Sequence, residues 1–149
     1  MKQLPNEAFF EWVEEELFQD RPVTFRVRGG SMFPLLKDGK DSVMLYPCVG
    51  EELRVMDVVL FKYKGRHVMH RIVSIDGDKL SMQGDGLPMT YEHCLRGDVL
   101  GRVGFVINSS GKKLDVHSKK WMWPSALWCR MGVIRRYFLR IWRYIDRHI

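Results

Sequence analysis

The feature that most restricts the fold of this chain is a closely spaced series of β-branched and aromatic runs between positions 23 and 108. Gly, Pro and Asp residues separate the runs, which read VTFRV, SVMLY, DVVLFKY, HVMHRIVSI, KLSMQ and VLGRVGFVI. This punctuation is typical of strands joined by turns. No helical pattern of about 10 to 15 residues lies between the runs, so parallel crossover units have little room. The sequence therefore predicts a mainly β, largely antiparallel domain over residues 23–118.

A segment of different character precedes these runs. From Asn6 to about Gln19, apolar residues recur at spacings of three and four, which is the period of one helix face. The residues of this face are Phe9, Phe10, Val13 and Leu17. Five glutamates stand among them, and Pro22 follows. We predict a short acidic amphipathic helix within residues 1–22.

The last segment, residues 119–149, is basic and aromatic. From position 120 onward it holds seven Lys and Arg residues against one Asp, whereas the first 119 residues are neutral overall. Pro124 suits the first turn of a helix. An apolar stripe follows at spacings of three and four: Leu127, Met131, Ile134, Phe138, Ile141 and Ile145. This pattern predicts a basic amphipathic C-terminal helix whose stripe packs on the β domain or contacts a membrane surface.

Composition limits the class of protein. A hydrophobic content of 46% with 28% charged residues is enough to form a core, so wholesale disorder is excluded. The chain has no apolar run of about 18 residues, and its acidic N-terminal segment lacks the apolar stretch of an export signal. The three cysteines, Cys48, Cys94 and Cys129, are separated by 46 and 35 residues, and this spacing matches no disulfide framework and no zinc site. We therefore expect a cytoplasmic or peripheral membrane protein in a reducing compartment.

The stretch that most suggests chemistry is RGGSMFP, residues 28–34, directly after the first predicted strand. A serine nucleophile needs a base within hydrogen-bond reach and backbone N–H groups directed at the oxyanion. Two glycines before Ser31 allow a tight backbone and close approach of a substrate carbonyl. Ser31 is therefore the candidate nucleophile. Gly30 and Met32 are candidate oxyanion or substrate-binding residues, although Met32 fits the core equally well.

A candidate base lies in the strand-like run HVMHRIV. Side chains alternate along a strand, so His67 and His70 point to opposite faces, which argues against a paired metal site. His70 has apolar neighbours on its own face and can accept a serine proton at physiological pH. Asp85, between two glycines after the next strand, is the candidate orienting acid. Spacing along the chain leaves other acids open: Asp76, Asp78, Glu92 and Asp98.

Taken together, these motifs resemble those of signal peptidase I and the related self-cleaving phage-repressor-type peptidases. The matching segments, in chain order, are SMFP (31–34), DVVLF (57–61), HRIV (70–73), GD (84–85) and DVLGR (98–102). The resemblance implies a serine endopeptidase on a coiled antiparallel β-sheet or barrel, with Ser31 as the nucleophile. His70 stands where most bacterial members have a lysine, which is similar to the endoplasmic-reticulum branch of the family.

The resemblance also implies the third catalytic residue and the substrate. An aspartate assists the histidine in that branch, so Asp85 is expected to orient His70. Glu92 is the alternative, because the run after Asp85 offers no further aspartate. Gly29 stands where the family often has a serine that helps to bind the oxyanion. The expected substrate is a polypeptide with a leader or signal-like segment, and no cofactor or metal is expected.

The main alternative is a non-catalytic peptide-binding or membrane-surface module on the same scaffold. Nucleic-acid binding through the basic tail is disfavoured, because the first 119 residues are neutral and the chain carries no recognised nucleic-acid motif. We therefore expect no nucleic-acid partner.

Overall fold

The computed structural model of the protein describes residues 6–48 and 52–148. Eight strands and three helices account for most of it. The strands are β1 Val23–Arg26, β2 Ser42–Pro47, β3 Val58–Tyr63, β4 Arg66–Asp76, β5 Lys79–Gln83, β6 Glu92–Leu95, β7 Val99–Ile107 and β8 Lys113–Asp115. The helices are α1 Asn6–Phe18, α2 Lys119–Arg130 and α3 Arg135–His148.

All eight strands belong to one antiparallel sheet. Its order is β1-β2-β7-β3-β4-β5-β6, and β8 pairs with β7 beside that path. The prediction of a mainly β, antiparallel domain is confirmed. A closed barrel is not confirmed, because β1 and β6 are the edge strands of the sheet and do not pair with each other in the described part of the chain.

Two strands have no counterpart among the predicted runs. β6 reads EHCL and β8 reads KLD, and both are short and poor in β-branched residues. Each extends along a longer neighbour, since β6 pairs with β5 and β8 pairs with β7. Pairing with an existing strand, rather than intrinsic propensity, explains these two strands.

Helix α1 confirms the predicted N-terminal helix. Its buried residues Val13 and Leu17 join an apolar cluster on one face of the sheet, together with Phe25 of β1 and Leu45 of β2. A second cluster lies on the other face and is built around Phe61 of β3. Apolar side chains thus cover both faces of the central strands, and β3 is buried at four consecutive positions.

The C-terminal segment forms two helices rather than one. The first helix ends at Arg130 with Met131 as its cap, and the following Gly132, which has a left-handed backbone with φ 57°, reorients the chain towards α3. Pro124 lies inside α2, not in its first turn, because the helix begins at Lys119. Within the described residues, the structure contains no helix whose length and apolarity would suffice to cross a bilayer.

Candidate active site

Ser31 lies in the loop that follows β1. The loop starts where the Val27 N–H donates to the Asp41 carbonyl at 2.8 Å. Gly29 then adopts a left-handed backbone with φ 84°, and its N–H donates to the Asp38 carboxylate at 2.9 Å. A residue with a Cβ is strained in this conformation, so Gly29 sets the turn that presents Ser31 at a partly exposed position.

The backbone amides around Ser31 are not used in the hydrogen bonds that close its loop. The turn is closed by the Phe33 N–H, which donates to the Gly30 carbonyl at 3.2 Å, and by the Leu36 N–H, which donates to the Met32 carbonyl at 2.9 Å. In the described ranges, no protein group accepts a hydrogen bond from the N–H of Gly30, Ser31 or Met32. Free amides beside a nucleophile are the donors that an oxyanion requires.

The Met32 side chain faces the interior. It is only 1% exposed and packs in the same apolar cluster as Leu36 and Val27. A substrate-binding role for this side chain does not fit the structure, because the side chain anchors the loop in the core. Only the Met32 N–H remains a candidate oxyanion donor. Gly30, in contrast, is exposed.

His70 lies in the middle of β4, opposite Val59 of β3, and its ring is buried. Its Nδ1 atom contacts the carboxylate of Glu92. The sheet register explains the contact: Glu92 pairs with Met82, and Met82 pairs with Ile72, which shares a face of β4 with His70. The register therefore brings Glu92 to His70 across the intervening strand β5.

Asp85 pairs with Arg71 instead of with His70. The Arg71 Nε and Nη2 atoms donate to the two carboxylate oxygens of Asp85 at 2.9 and 2.8 Å, and both side chains are buried. Burial lowers the pKa of Arg71, but the charge of Asp85 and the hydrogen bonds to it raise that pKa by more, so the net shift is upward.

The predicted role of Asp85 as the orienting acid is therefore corrected. Neighbouring side chains of a strand point to opposite faces, so Arg71 and the acid bound to it lie on the face opposite His70. Glu92, the alternative that the sequence left open, occupies the place beside the imidazole. The sequence alone could not show which acid contacts His70, because spacing along the chain does not specify how the strands β4, β5 and β6 are aligned.

Gly84 is close both to the loop that carries Ser31 and to the ring of His70. A Cβ on Gly84 would collide with the Ser31 carbonyl oxygen and would lie 3.0 Å from His70 Nε2. The next glycine, Gly86, donates its N–H to that same Ser31 carbonyl at 2.8 Å. The Ser31 carbonyl oxygen and the Nε2 edge of the imidazole therefore both lie close to Gly84, on the side to which a Cβ would project. The Ser31 hydroxyl itself makes no hydrogen bond to a described residue.

Helix α2 holds the segment that contains Gly84. The Trp128 indole N–H donates to the Asp85 carbonyl at 2.8 Å, and the Trp121 ring lies 5.6 Å from the Arg71 guanidinium carbon. We did not predict these contacts. The sequence does carry a signal for them, because Trp121 and Trp128 are seven residues apart and share a helix face. Asp85 therefore ties the Gly84 segment to Arg71 and α2.

Helix α3 packs against the same region through residues four apart. The Arg135 Nη2 donates to the Gln83 side-chain oxygen at 2.8 Å, and the Arg143 Nη2 donates to the Gly86 carbonyl at 3.2 Å. Leu139 is buried between them in a small cluster with Phe33 and Trp128. The two C-terminal helices thus support the serine loop and the glycine segment together.

A second serine–histidine pair provides a contrast. The Ser81 hydroxyl lies 3.1 Å from His93 Nδ1 on an exposed surface. Ser81 is in β5, which is paired on both sides by β4 and β6, so its backbone amide belongs to the sheet. This pair therefore lacks the free loop amides that surround Ser31.

The described residues contain no cluster of three or more His, Cys, Asp or Glu side chains that could hold a metal ion. Comparison with known proteins gives no assignment, because no protein-family model and no curated protein matches the chain.

Proposed function

We propose that the protein is a serine endopeptidase that cleaves a leader or signal-like peptide, with Ser31 as nucleophile, His70 as base and Glu92 as the acid that orients the imidazole. One observation carries the proposal: the His70 ring contacts Glu92 at Nδ1 and approaches the Ser31 backbone at its Nε2 edge. An acid, an imidazole and a serine in this order match the roles of a catalytic triad.

The chemistry follows from these positions. A carboxylate at Nδ1 fixes the proton on that nitrogen and leaves Nε2 free to accept the proton of the Ser31 hydroxyl. The serine oxygen then adds to the scissile carbonyl. The resulting oxyanion accepts hydrogen bonds from the free N–H groups of Ser31 and Met32. His70 returns its proton to the leaving amine, and a water molecule activated by His70 hydrolyses the acyl-enzyme.

A peptide substrate is supported by the position of the serine loop at the edge of the sheet. β1, which leads into this loop, pairs only with β2 in the described part of the chain. Its other side offers backbone N–H and C=O groups to an extended peptide, which is the strand-addition mode of recognition. The resemblance of the SMFP, HRIV and GD motifs to signal peptidase I supports the same substrate class.

Cleavage of a leader-like peptide by the purified protein tests the proposal. We expect Ser31→Ala to abolish cleavage and Ser81→Ala to leave it unchanged, because Ser31, unlike Ser81, has free amides beside it. Equal activity of the wild-type protein and the Ser31→Ala variant would contradict the proposal. Specific peptide binding without cleavage by the wild type would favour the alternative, a non-catalytic peptide-binding module.

A second part of the proposal concerns location. Opposite the face of α3 that packs on the protein, large apolar and aromatic side chains are about half exposed: Tyr137, Phe138, Ile141, Tyr144 and Ile145. The helix also carries four exposed arginines, which are attracted to anionic headgroups: Arg136, Arg140, Arg143 and Arg147. A helix with this division of residues is suited to lie in a bilayer interface. We infer that α3 attaches the protein to an anionic membrane surface.

Flotation with phosphatidylglycerol vesicles tests this attachment. We expect the wild-type protein to float and Ile141→Ser/Ile145→Ser to remain in the dense fraction, whereas Val55→Ser, at another exposed apolar position, should behave as wild type. Absence of wild-type flotation, or flotation of the double variant, would remove the membrane part of the proposal.

A further inference from the structure

A basic cleft lies between α3 and the chain segment 86–90. Its volume is about 410 Å³, and its walls include four arginines of α3: Arg136, Arg140, Arg143 and Arg147. The opposite wall is formed by the run GLPMT, residues 86–90, and no residue that lines the cleft is acidic. The charge of the cleft is therefore entirely positive.

The positive charge is not neutralised within the described part of the protein, since none of the four arginines pairs with a carboxylate there. Arg136 contacts the hydroxyl of its neighbour Tyr137, and Arg143 donates to the Gly86 carbonyl. The one acid of α3, Asp146, forms its ion pair with Lys40 outside the cleft, at 3.4 Å. Four clustered guanidinium groups without a carboxylate favour an anionic ligand.

The cleft lies next to the loop that carries the proposed nucleophile, although Ser31 itself does not line it. Gly86 lines it, and the N–H of Gly86 donates to the Ser31 carbonyl. Gly30, which precedes Ser31 in the chain, is also close to the cleft, because a Cβ on Gly30 would lie 4.0 Å from the Arg143 guanidinium. A peptide chain bound at the serine loop would therefore lie beside the cleft.

The spacing of the arginines suits an extended peptide. At a rise of about 1.5 Å per residue, steps of three and four residues place successive arginines about 4.5 to 6 Å apart along α3. Alternate side chains of an extended chain are about 6.6 Å apart on one face. Acidic residues at alternate positions of a peptide would thus meet successive arginines.

We propose that this cleft binds an acidic segment of the peptide substrate, with carboxylates at alternate positions next to the cleaved bond. The assignment rests on the proposed peptidase function and adds the substrate class. A peptide chain fits better than a bilayer, because the cleft is concave while the apolar face of α3 points elsewhere. In this proposal, the arginines next to the serine loop contribute to substrate specificity and not only to membrane attachment.

A binding measurement tests the proposal without requiring catalysis. The probe is a fluorescein-labelled octapeptide of alternating Glu and Ala, followed by anisotropy with the Ser31→Ala protein. We expect saturable binding that weakens as salt is added, since exposed charge pairs are screened. The matching Gln–Ala octapeptide should bind at least about ten-fold more weakly.

Paired variants locate the binding site. We expect Arg136→Gln/Arg140→Gln to weaken binding of the Glu–Ala probe at least about ten-fold. The double variant Arg66→Gln/Arg130→Gln removes the same charge at exposed positions outside the cleft and should bind as wild type. Equal affinity of the two double variants would overturn the proposal, as would equal binding of the Glu–Ala and Gln–Ala probes.

Two further results separate the proposals from each other. If the cleft variant binds the acidic probe normally but no longer floats with phosphatidylglycerol vesicles, the arginines serve the membrane and the substrate assignment is wrong. If the acidic probe binds in the cleft but no peptide is cleaved, the peptidase function fails while the acidic-peptide site stands.

Discussion

The pair formed by His70 and Glu92 is the central feature at the residue scale. Both side chains are buried, and each is positioned by a strand of the sheet. The carboxylate keeps the imidazole in the orientation that leaves Nε2 towards the serine loop. The neighbouring pair of Arg71 and Asp85 is also buried, but its hydrogen bonds run to the Met56 carbonyl and to α2 rather than to the imidazole.

Replacement of Glu92 tests the orienting role. Glu92→Gln keeps the size of the side chain but removes the charge that holds the proton at Nδ1, so we expect kcat for peptide cleavage to fall by about 10⁴. The free energy of unfolding should change much less. Steady-state kinetics and urea denaturation of the same preparation measure the two effects. An unchanged kcat would exclude Glu92 from the catalytic group.

Replacement of Asp85 should act mainly on stability. Asp85→Asn leaves the buried guanidinium of Arg71 without its counter-charge, which costs about 3–5 kcal/mol of unfolding free energy. We expect the double variant Arg71→Met/Asp85→Leu to recover much of that loss, since it removes both charges. Urea denaturation of the two variants measures the difference. If Asp85→Asn were as stable as the wild type but inactive, Asp85 would have a direct catalytic role.

The residues of the site were only partly predictable from the sequence. Ser31 and His70 stand out because their residue types and flanking motifs are distinctive. The choice between Asp85 and Glu92 depends on which acid shares a face with His70. That choice is fixed by β6, a strand with little intrinsic preference for extended structure, so the residue pattern could not resolve it.

At the scale of elements, the C-terminal helices show why amphipathic patterns are ambiguous. The apolar stripe was open to packing on the β domain or to contact with a membrane. In the structure, Leu127, Phe138 and Ile141 are about half exposed or more, whereas the charged residue Arg135 is buried. Helical periodicity identifies the faces of a helix but does not specify which face packs. The break at Gly132 changes that face between α2 and α3.

The docking of α3 through Leu139 gives a prediction at this scale. Leu139 is 3% exposed, so Leu139→Ala should cost about 2–5 kcal/mol of stability and increase hydrogen exchange in the segment 84–88. Leu127→Ala, at an exposed position of α2, is the matched control and should change neither quantity. Unchanged exchange at 84–88 in Leu139→Ala would show that α3 does not support the site.

At the scale of the whole molecule, the open sheet gives the proposed enzyme its layout. Both faces of the central strands carry apolar clusters, and the site forms where the loop after β1 meets the segment after β5. The strand-rich class of the domain was predictable, because closely spaced β-branched runs restrict topology. That the edge strands β1 and β6 stay unpaired with each other was not predictable, since pairing between distant strands leaves no local signal in the sequence.

The cysteines give a prediction for the whole protein. Burial raises the pKa of the Cys48 thiol and of the Cys94 thiol to about 11, and burial also raises the pKa of Cys129. Thiols with raised pKa values remain protonated and unreactive near neutral pH. We therefore expect peptide cleavage to survive iodoacetamide treatment near pH 7, with little alkylation by mass spectrometry. Rapid inactivation with modification of one thiol would indicate a cysteine nucleophile.

The most direct measurement is to locate the covalent adduct of a serine-directed electrophile. After reaction of the wild-type protein with an electrophilic β-lactam, the account predicts that intact mass spectrometry shows one added acyl group and that peptide mapping places it on Ser31. The Glu92→Gln variant should acylate far more slowly. An adduct on Ser81, or acylation that proceeds equally in the Ser31→Ala protein, would contradict the assignment of Ser31 as the nucleophile.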